Sequence, residues 1–389
     1  MKFEGYIFTP KPFYGTLSSK KDRIASIKAI RRPKKITKLI LPGFISTHIH
    51  TIQTHARNTA ENMELLEWLS KVIWPFEAKL TKKTAYYSAL CGMDESLSKG
   101  ITSILDMATA RHTDSVFEAA RNCGIRAFIG KALMDQGPKN LIEPHPLEEI
   151  FDHLDKWHQK ENGRLQVTLC PRFVLSCSEK LLRSVGELSK KYRLLHHTHA
   201  SENKAECEWI EKRYKKSNIE ILEKFGCLNE WTTIAHGVHF SDRDIALLRK
   251  RKVSISHCPT SNLKLASGLA DLKRLASLNL SLGVDGAPCN NLLDPFFEMR
   301  LTHLLNRYLH GLYGFSAERV FKMATMGGAK ALHQEKEIGS LEIGKKADFL
   351  VIQVPDFVQF NPDFPYESLI HSITSADIHS VFVDGHQRA

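Results

Sequence analysis

Two histidines one residue apart, His48 and His50, close the apolar run LILPGFISTHIH. Side chains alternate along a β-strand, so both imidazoles project from one face. A pair of imidazoles at a strand end can take adjacent positions around one metal ion. A mononuclear catalytic site needs about three or four protein ligands and a water. The chain supplies further candidates in order: His199 in HHTHASE, His236 in TIAHGVHF and Asp285 in LGVDGAPCNN. Each lies at or just after an apolar run that reads as a strand. In HHTHASE the alternation also places His197 on the face of His199, so spacing alone leaves two candidates there. In a chain with 19 histidines a lone His-x-His carries little. The ordered recurrence of His, His and Asp after strands is what sets these residues apart.

Residues so distant in sequence need elements that bring them together. Between about 43 and 335, short apolar runs alternate with longer helical patterns. The runs ITSILDM, IRAFIGKALMD, LQVTLCPRF, YRLLHHTHA, WTTIAHGV, KVSISHCP and LSLGVDG read as buried parallel strands. With the strand before His48 they make eight, each followed by a helix-sized connection. Right-handed βα units in that number close into a barrel. The expectation is an α/β protein: a (β/α)8 TIM-like barrel over 43–335, with a small composite β-sandwich built from 1–42 and 336–389. Active sites of such barrels lie at the C-terminal ends of the strands. His48, His50, His199, His236 and Asp285 all hold that position.

Composition narrows the remaining classes. The 389 residues are 42% hydrophobic and 25% charged, as in a soluble globular chain. Apolar runs are short and broken by charge, so no membrane span is expected. The start, MKFEGYIFTP, does not read as a signal peptide. Eight scattered cysteines without a CxxC pair fit reduced thiols and a cytoplasmic setting. The net charge is +11, but the basic clusters Arg31–Lys35 and Glu211–Lys216 are short and read as solvated surface. No nucleic-acid partner is expected, and a homo-oligomer is compatible with the sequence.

With these residues in place, the chain resembles the amidohydrolase superfamily. Within it the likeness is to the mononuclear nucleobase and nucleoside deaminases, which include guanine deaminase and the methylthioadenosine/S-adenosylhomocysteine deaminases. The likeness runs through PGFISTHIH, LLEWLSKVIWPFE, PRFVLSCSE, HASEN, AHGVHFSD, SHCPTSNLKLASG, LGVDGAPCNN and GSLEIGKKADFLVI. It implies that His48, His50, His199 and Asp285 hold one divalent metal, zinc or iron. The family places a glutamate three residues after the ligand, which selects His199 with Glu202. It further implies that Asp285 accepts a proton from the attacking water, that His236 orients that water, and that Glu202 shuttles protons to the ring and the leaving amine. Binuclear relatives use a carbamylated lysine near the place of Lys131; the HxxE element speaks for the mononuclear deaminases instead. Family members often run on past the point where this chain stops, at VFVDGHQRA, which leaves the edge of the small domain open.

The substrate signature is mixed. Gln53 and Arg172 look like guanine deaminase, where they read the polar edge of the base. Trp68 and Glu77 match positions at which adenosine-type enzymes pack the substrate and bind ribose hydroxyls. His257 is a candidate substrate contact or a histidine that orders its loop. The reading is hydrolytic deamination of a small purine-type amine, first of all a 5′-modified adenine nucleoside. Guanine or 8-oxoguanine deamination and s-triazine hydrolysis are the alternatives. A non-catalytic barrel would have lost ligands, and none is missing.

Overall fold

A computed structural model describes residues 1–59, 61–142 and 145–389. Eight parallel strands form one sheet: Phe44–Ile49, Ile101–Met107, Arg126–Gly130, Leu165–Val167, His196–Ala200, Thr232–His236, Ser254–His257 and Asn279–Leu282. Each pairs with its neighbour in sequence. The eighth returns to the first through Leu282 and Ser46. Just beyond the fourth, a parallel bridge from Leu169 to His196 joins it to the fifth. The ring is thereby closed. Ile101–Met107 is buried at every residue, as expected of a strand covered on both sides.

Two of the apolar runs break midway. After Arg126–Gly130 the chain resumes as Ala132–Leu133, and after Leu165–Val167 as Cys170–Pro171; these short pieces pair with each other. Gly130 permits the close approach, since a Cβ there would lie 2.2 Å from Cys170 Sγ and 2.6 Å from Thr168 Oγ1.

Both chain ends build a second sheet of seven strands, in the order His386–Gln387, Ile378–Val383, Phe349–Gln353, Lys38–Pro42, Lys2–Ile7, Phe13–Lys20, Arg23–Ala29. Alternation gives it two apolar faces. Leu39, Leu41, Leu350 and Ile352 join the barrel core, while Ile7, Leu17, Ile40, Phe349 and Phe382 form a core of their own. Phe3 meets Phe382 at a ring separation of 5.1 Å although three strand spacings lie between them. A flat sheet would hold them about 14 Å apart. The sheet therefore curls over its own core, which gives the sandwich-like shape.

One buried ionic cluster ties this sheet to the barrel. Arg126, on the third barrel strand, donates Nε to Asp348 Oδ2 at 2.9 Å and Nη2 to Asp384 Oδ1 at 2.5 Å. Arg126 and Asp348 are almost fully buried. Removing one partner of such a group strands the others in low dielectric, at a cost of about 3–5 kcal/mol. Arg126→Met is expected to lower the unfolding free energy by about that much in urea denaturation, and the triple change with Asp348→Asn and Asp384→Asn to recover part of it. A loss below about 1 kcal/mol would show that the cluster does not hold the two sheets together.

Candidate active site

The ends of the first, fifth, sixth and eighth barrel strands deliver the chemistry to one point. His48 and His50 leave the first strand on the same side, with ring centroids 4.8 Å apart. His199 comes from the fifth strand and His236 from the sixth. Asp285 follows the eighth, paired to Ile49 by an isolated bridge. His236 and Asp285 both lie in the left-handed region, with φ of 72° and 57°. A strand cannot continue through that conformation, so the chain turns off the barrel rim at these side chains. Gly283 lets the eighth strand pass beneath the first: a Cβ there would sit 2.8 Å from the Cβ of His48.

Each imidazole is held by the nitrogen that faces away from the centre. His50 Nδ1 donates to the Met107 carbonyl at 2.8 Å and His199 Nδ1 to the Arg172 carbonyl at 2.6 Å. His48 Nδ1 meets His197 Nε2 at 2.7 Å, and His197 Nδ1 meets the Thr233 carbonyl at 3.1 Å. A carbonyl only accepts, so the His197 proton sits on Nδ1 and its Nε2 accepts from His48. His197 thus orients His48, and His199 is the member of that pair that reaches the centre. His236 Nδ1 lies 2.8 Å from Asn262 Oδ1. Burial pushes the His50 imidazole down to about 3 and the His236 imidazole down to about 4, so both are neutral near pH 7.

The inward nitrogens then carry lone pairs and no protons. His50 Nε2 faces His199 Nε2 at 3.2 Å, and His48 Nε2 faces Asp285 Oδ1 at 3.2 Å. His48 Nε2 is buried and has no hydrogen-bond partner. Electron-rich atoms facing one another at such distances are stable only around a cation. The spacing is that of a tetrahedral site with bonds of about 2.0–2.1 Å, whose donor atoms lie about 3.3 Å apart. The donor set of His48, His50 and Asp285, extended by His199 and His236, therefore fits a divalent metal.

Glu202 stands beside this cluster, its Oε2 3.4 Å from His236 Nε2. Burial, then the carboxylates of Asp285 and Glu206, hold it well above the usual carboxylate range. Its position depends on Glu206, whose Oε2 accepts the backbone N–H of Glu202 at 2.9 Å. The same carboxylate closes a capping box with Asn203 at the start of the helix Lys204–Tyr214. Another buried acid, Asp106, accepts from Thr51 N at 3.2 Å and from the Thr51 hydroxyl, anchoring the turn after His50; burial raises it to about 7.

A cleft opens above the centre. Its floor is His50, His199, Glu202, His236 and Asp285, and its apolar wall is Leu65, Trp68, Leu69, Phe173 and Leu265. Gln53 and Arg172 line it too. Glu77 and His257 do not, although both are buried. The Glu77 carboxylate is engaged behind the wall by Arg172 Nη1 at 2.6 Å, Arg172 Nη2 at 3.1 Å and Gln53 Nε2 at 2.9 Å. It positions two donors at the cleft in place of facing a ligand. Lys131 lies buried against Glu149, with Nζ 2.7 Å from Oε2, and is not among the clustered ligand candidates. Sequence reasoning weighed His197 only as a rival to His199, and passed over Glu206, Asn262 and the apolar wall apart from Trp68. Glu206 carried a readable sign, a capping acid three residues after Asn203. Leu265 carried none.

The comparisons with known proteins agree with this arrangement. The Amidohydrolase family profile matches residues 39–388. A 5-methylthioadenosine/S-adenosylhomocysteine deaminase of Thermoanaerobacter pseudethanolicus is 35% identical over 357 residues, which cover 90% of this chain and 81% of that protein. A 5′-deoxyadenosine deaminase of Methanosphaera stadtmanae is 34% identical over 355 residues, with 90% of this chain and 81% of that protein covered. The guanine deaminase from C. acetobutylicum, solved with bound guanine, superposes with a TM-score of 0.89 at 27% identity, covering 99% of each chain. An adenosine deaminase from Xanthomonas campestris with bound zinc shares the fold, with a TM-score of 0.92 at 24% identity over 99% of this chain and 92% of that one. The chain belongs to the amidohydrolase family and is an enzyme of the hydrolytic deaminase class.

Because His197 sets the tautomer of His48, its loss is expected to weaken metal binding without breaking the barrel. His197→Phe should lower metal affinity about 10–100-fold, read by competition with a chromophoric chelator, while circular dichroism stays that of the parent. Unchanged affinity would sever His197 from the site.

Proposed function

We propose that this chain is a metal-dependent aminohydrolase whose substrate is an adenine nucleoside altered at its 5′ carbon. 5′-Deoxyadenosine, methylthioadenosine, S-adenosylhomocysteine and aminodeoxyfutalosine are the candidates. The observation that carries the reaction class is the convergence of bare imidazole nitrogens and the Asp285 carboxylate beside the buried Glu202, whose carboxyl is held above the usual carboxylate range. The adenine-nucleoside reading is supported by the relatives of 34–35% identity over most of the chain. A divalent metal held by His48, His50, His199 and Asp285, zinc in the first place and iron in the second, would supply Lewis acidity and lower the pKa of a water to about 7.

The chain's own residues do the rest. Asp285 presents Oδ1 to His48 and Oδ2 to His236, 3.8 Å away, so it can take the proton of the attacking water while His236 orients that water. Glu202, whose proton burial holds above the usual carboxylate range, can give it to the ring nitrogen beside the attacked carbon. The remaining hydroxyl proton of the adduct recharges Glu202 for delivery to the leaving amine, and the proton taken by Asp285 then restores it. The flat apolar wall around Trp68 and Phe173 suits a stacked heterocycle and excludes bulk water. The products are the carbonyl heterocycle and ammonia. No described helix is long and apolar enough to cross a membrane. Eight unpaired cysteines support a cytoplasmic setting.

A second reading, guanine or 8-oxoguanine as substrate, is favoured by Arg172 and Gln53 at the cleft wall. Arg172 donates only, which suits a carbonyl oxygen or ring-nitrogen acceptor. Glu77, spent on these two donors, offers ribose nothing unless the ligand displaces them. Ammonia release from a purine panel separates the readings. Turnover of adenosines lacking the 5′ hydroxyl, with none of guanine, is expected; turnover of guanine alone would overturn the nucleoside reading. Glu202→Gln is expected to keep its metal by elemental analysis and to lose about 10²–10⁴-fold in kcat. Full activity in that variant would remove Glu202 from proton transfer.

A further inference from the structure

The helix Pro295–His310 carries large apolar side chains on two sides. Phe296, Met299, Thr302, His303 and Asn306 face the interior. The opposite side is also apolar, and it is bare. Among the described residues sixteen large apolar side chains are exposed, and six of them fall between 292 and 312: Leu292, Phe297, Leu304, Tyr308, Leu309 and Leu312. Tyr308 is 82% and Leu312 77% exposed. A surface helix ordinarily turns polar and charged side chains to water.

The pattern on the bare side is regular. Phe297, Leu301, Leu304 and Tyr308 follow spacings of four, three and four, which places them in one stripe along the helix. This is the seam of two helices packed at a shallow left-handed crossing. The six exposed side chains amount to roughly 700 Å², at about 200 Å² for a fully exposed large side chain. That exceeds the largest apolar patch of most monomers, about 300–600 Å². It also comes close to the ~800 Å² that each partner of a stable complex buries. A membrane surface would need a basic rim, yet Arg300 and Arg307 are the only lysines or arginines between 292 and 318, and Arg300 is turned to the Ile370 and Ile373 carbonyls.

We propose that this face is a dimer interface and that its occupant is a second copy of this chain. The two helices pair antiparallel across a two-fold axis between Leu301 and Leu304, so that Tyr308 packs on the partner's Phe297. An isologous contact of this kind buries the same stripe on both protomers and closes the assembly at two.

Sedimentation equilibrium of the full chain over a concentration series tests the proposal. The expected mass is twice that of the chain. Leu304→Glu and Tyr308→Glu are each expected to weaken the dimer by at least about 30-fold, the effect of losing one hot-spot residue. Both positions are exposed in the protomer, and unchanged circular dichroism and thermal melting would show that the fold is intact. In a Cys91→Ser background, Phe297→Cys combined with Tyr308→Cys, positions that the antiparallel axis sets opposite each other, is expected to give a covalent dimer on mild oxidation; Tyr308→Cys alone, and Ile343→Cys on exposed surface elsewhere, are not. A monomer throughout the series, or a dimer indifferent to both glutamates, would overturn the interface. A dimer weakened by the glutamates but not cross-linked by the 297 and 308 cysteines together, or cross-linked through position 308 alone, would overturn the antiparallel pairing.

Discussion

Backbone carbonyls decide the state of the active centre. Met107, Arg172 and Thr233 each offer an acceptor at the C-terminal rim, and each binds an Nδ1–H, directly or through His197. The tautomer is thereby chosen from behind, and the lone pairs of His48, His50 and His199 point forward. Three lone pairs and a carboxylate packed so closely repel one another unless a cation lies among them. The barrel makes the arrangement tolerable because its closed ladder of hydrogen bonds holds the strand ends where side chains alone would move apart.

The same economy of position governs the acids. Asp285, Glu202, Glu206 and Asp106 are all buried around one cleft, yet they are not in one state. Asp285 faces imidazoles and is held well below the usual range in spite of its burial. Glu202 faces carboxylates as well as His236 and is pushed up. Neighbouring carboxyl groups with opposed tendencies are what acid–base chemistry at neutral pH requires. Glu206, four residues on, holds the backbone of Glu202 and also opens a helix, so the proton carrier rides on a rigid element.

At the cleft wall, one buried ion pair carries the question of substrate. Arg172, Glu77 and Gln53 form a closed set whose donors reach the cleft while the carboxylate stays behind. Relatives of 34–35% identity are named for adenine nucleosides, and a solved neighbour holds guanine. Local chemistry and overall likeness thus point to different ligands through the same three residues.

The sequence by itself determined the reaction class. HxH, HxxE and the later His and Asp sit at the ends of apolar runs, and period-two alternation followed by helix-length connections is enough to place them on one barrel rim. The strand count and the return of both termini to one small sheet were legible for the same reason, since they depend on local periodicity. Other features had no local sign. The supporting role of His197 behind His48 rests on the Thr233 carbonyl of a neighbouring strand. The withdrawal of Glu77 from the cleft rests on Arg172, ninety-five residues away. Leu265 and Phe173 became wall residues only when their loops folded over the rim. Alternation fixes which face a side chain takes, but what it meets there is decided by strands and loops brought beside it from elsewhere in the chain, and only tertiary packing supplies them.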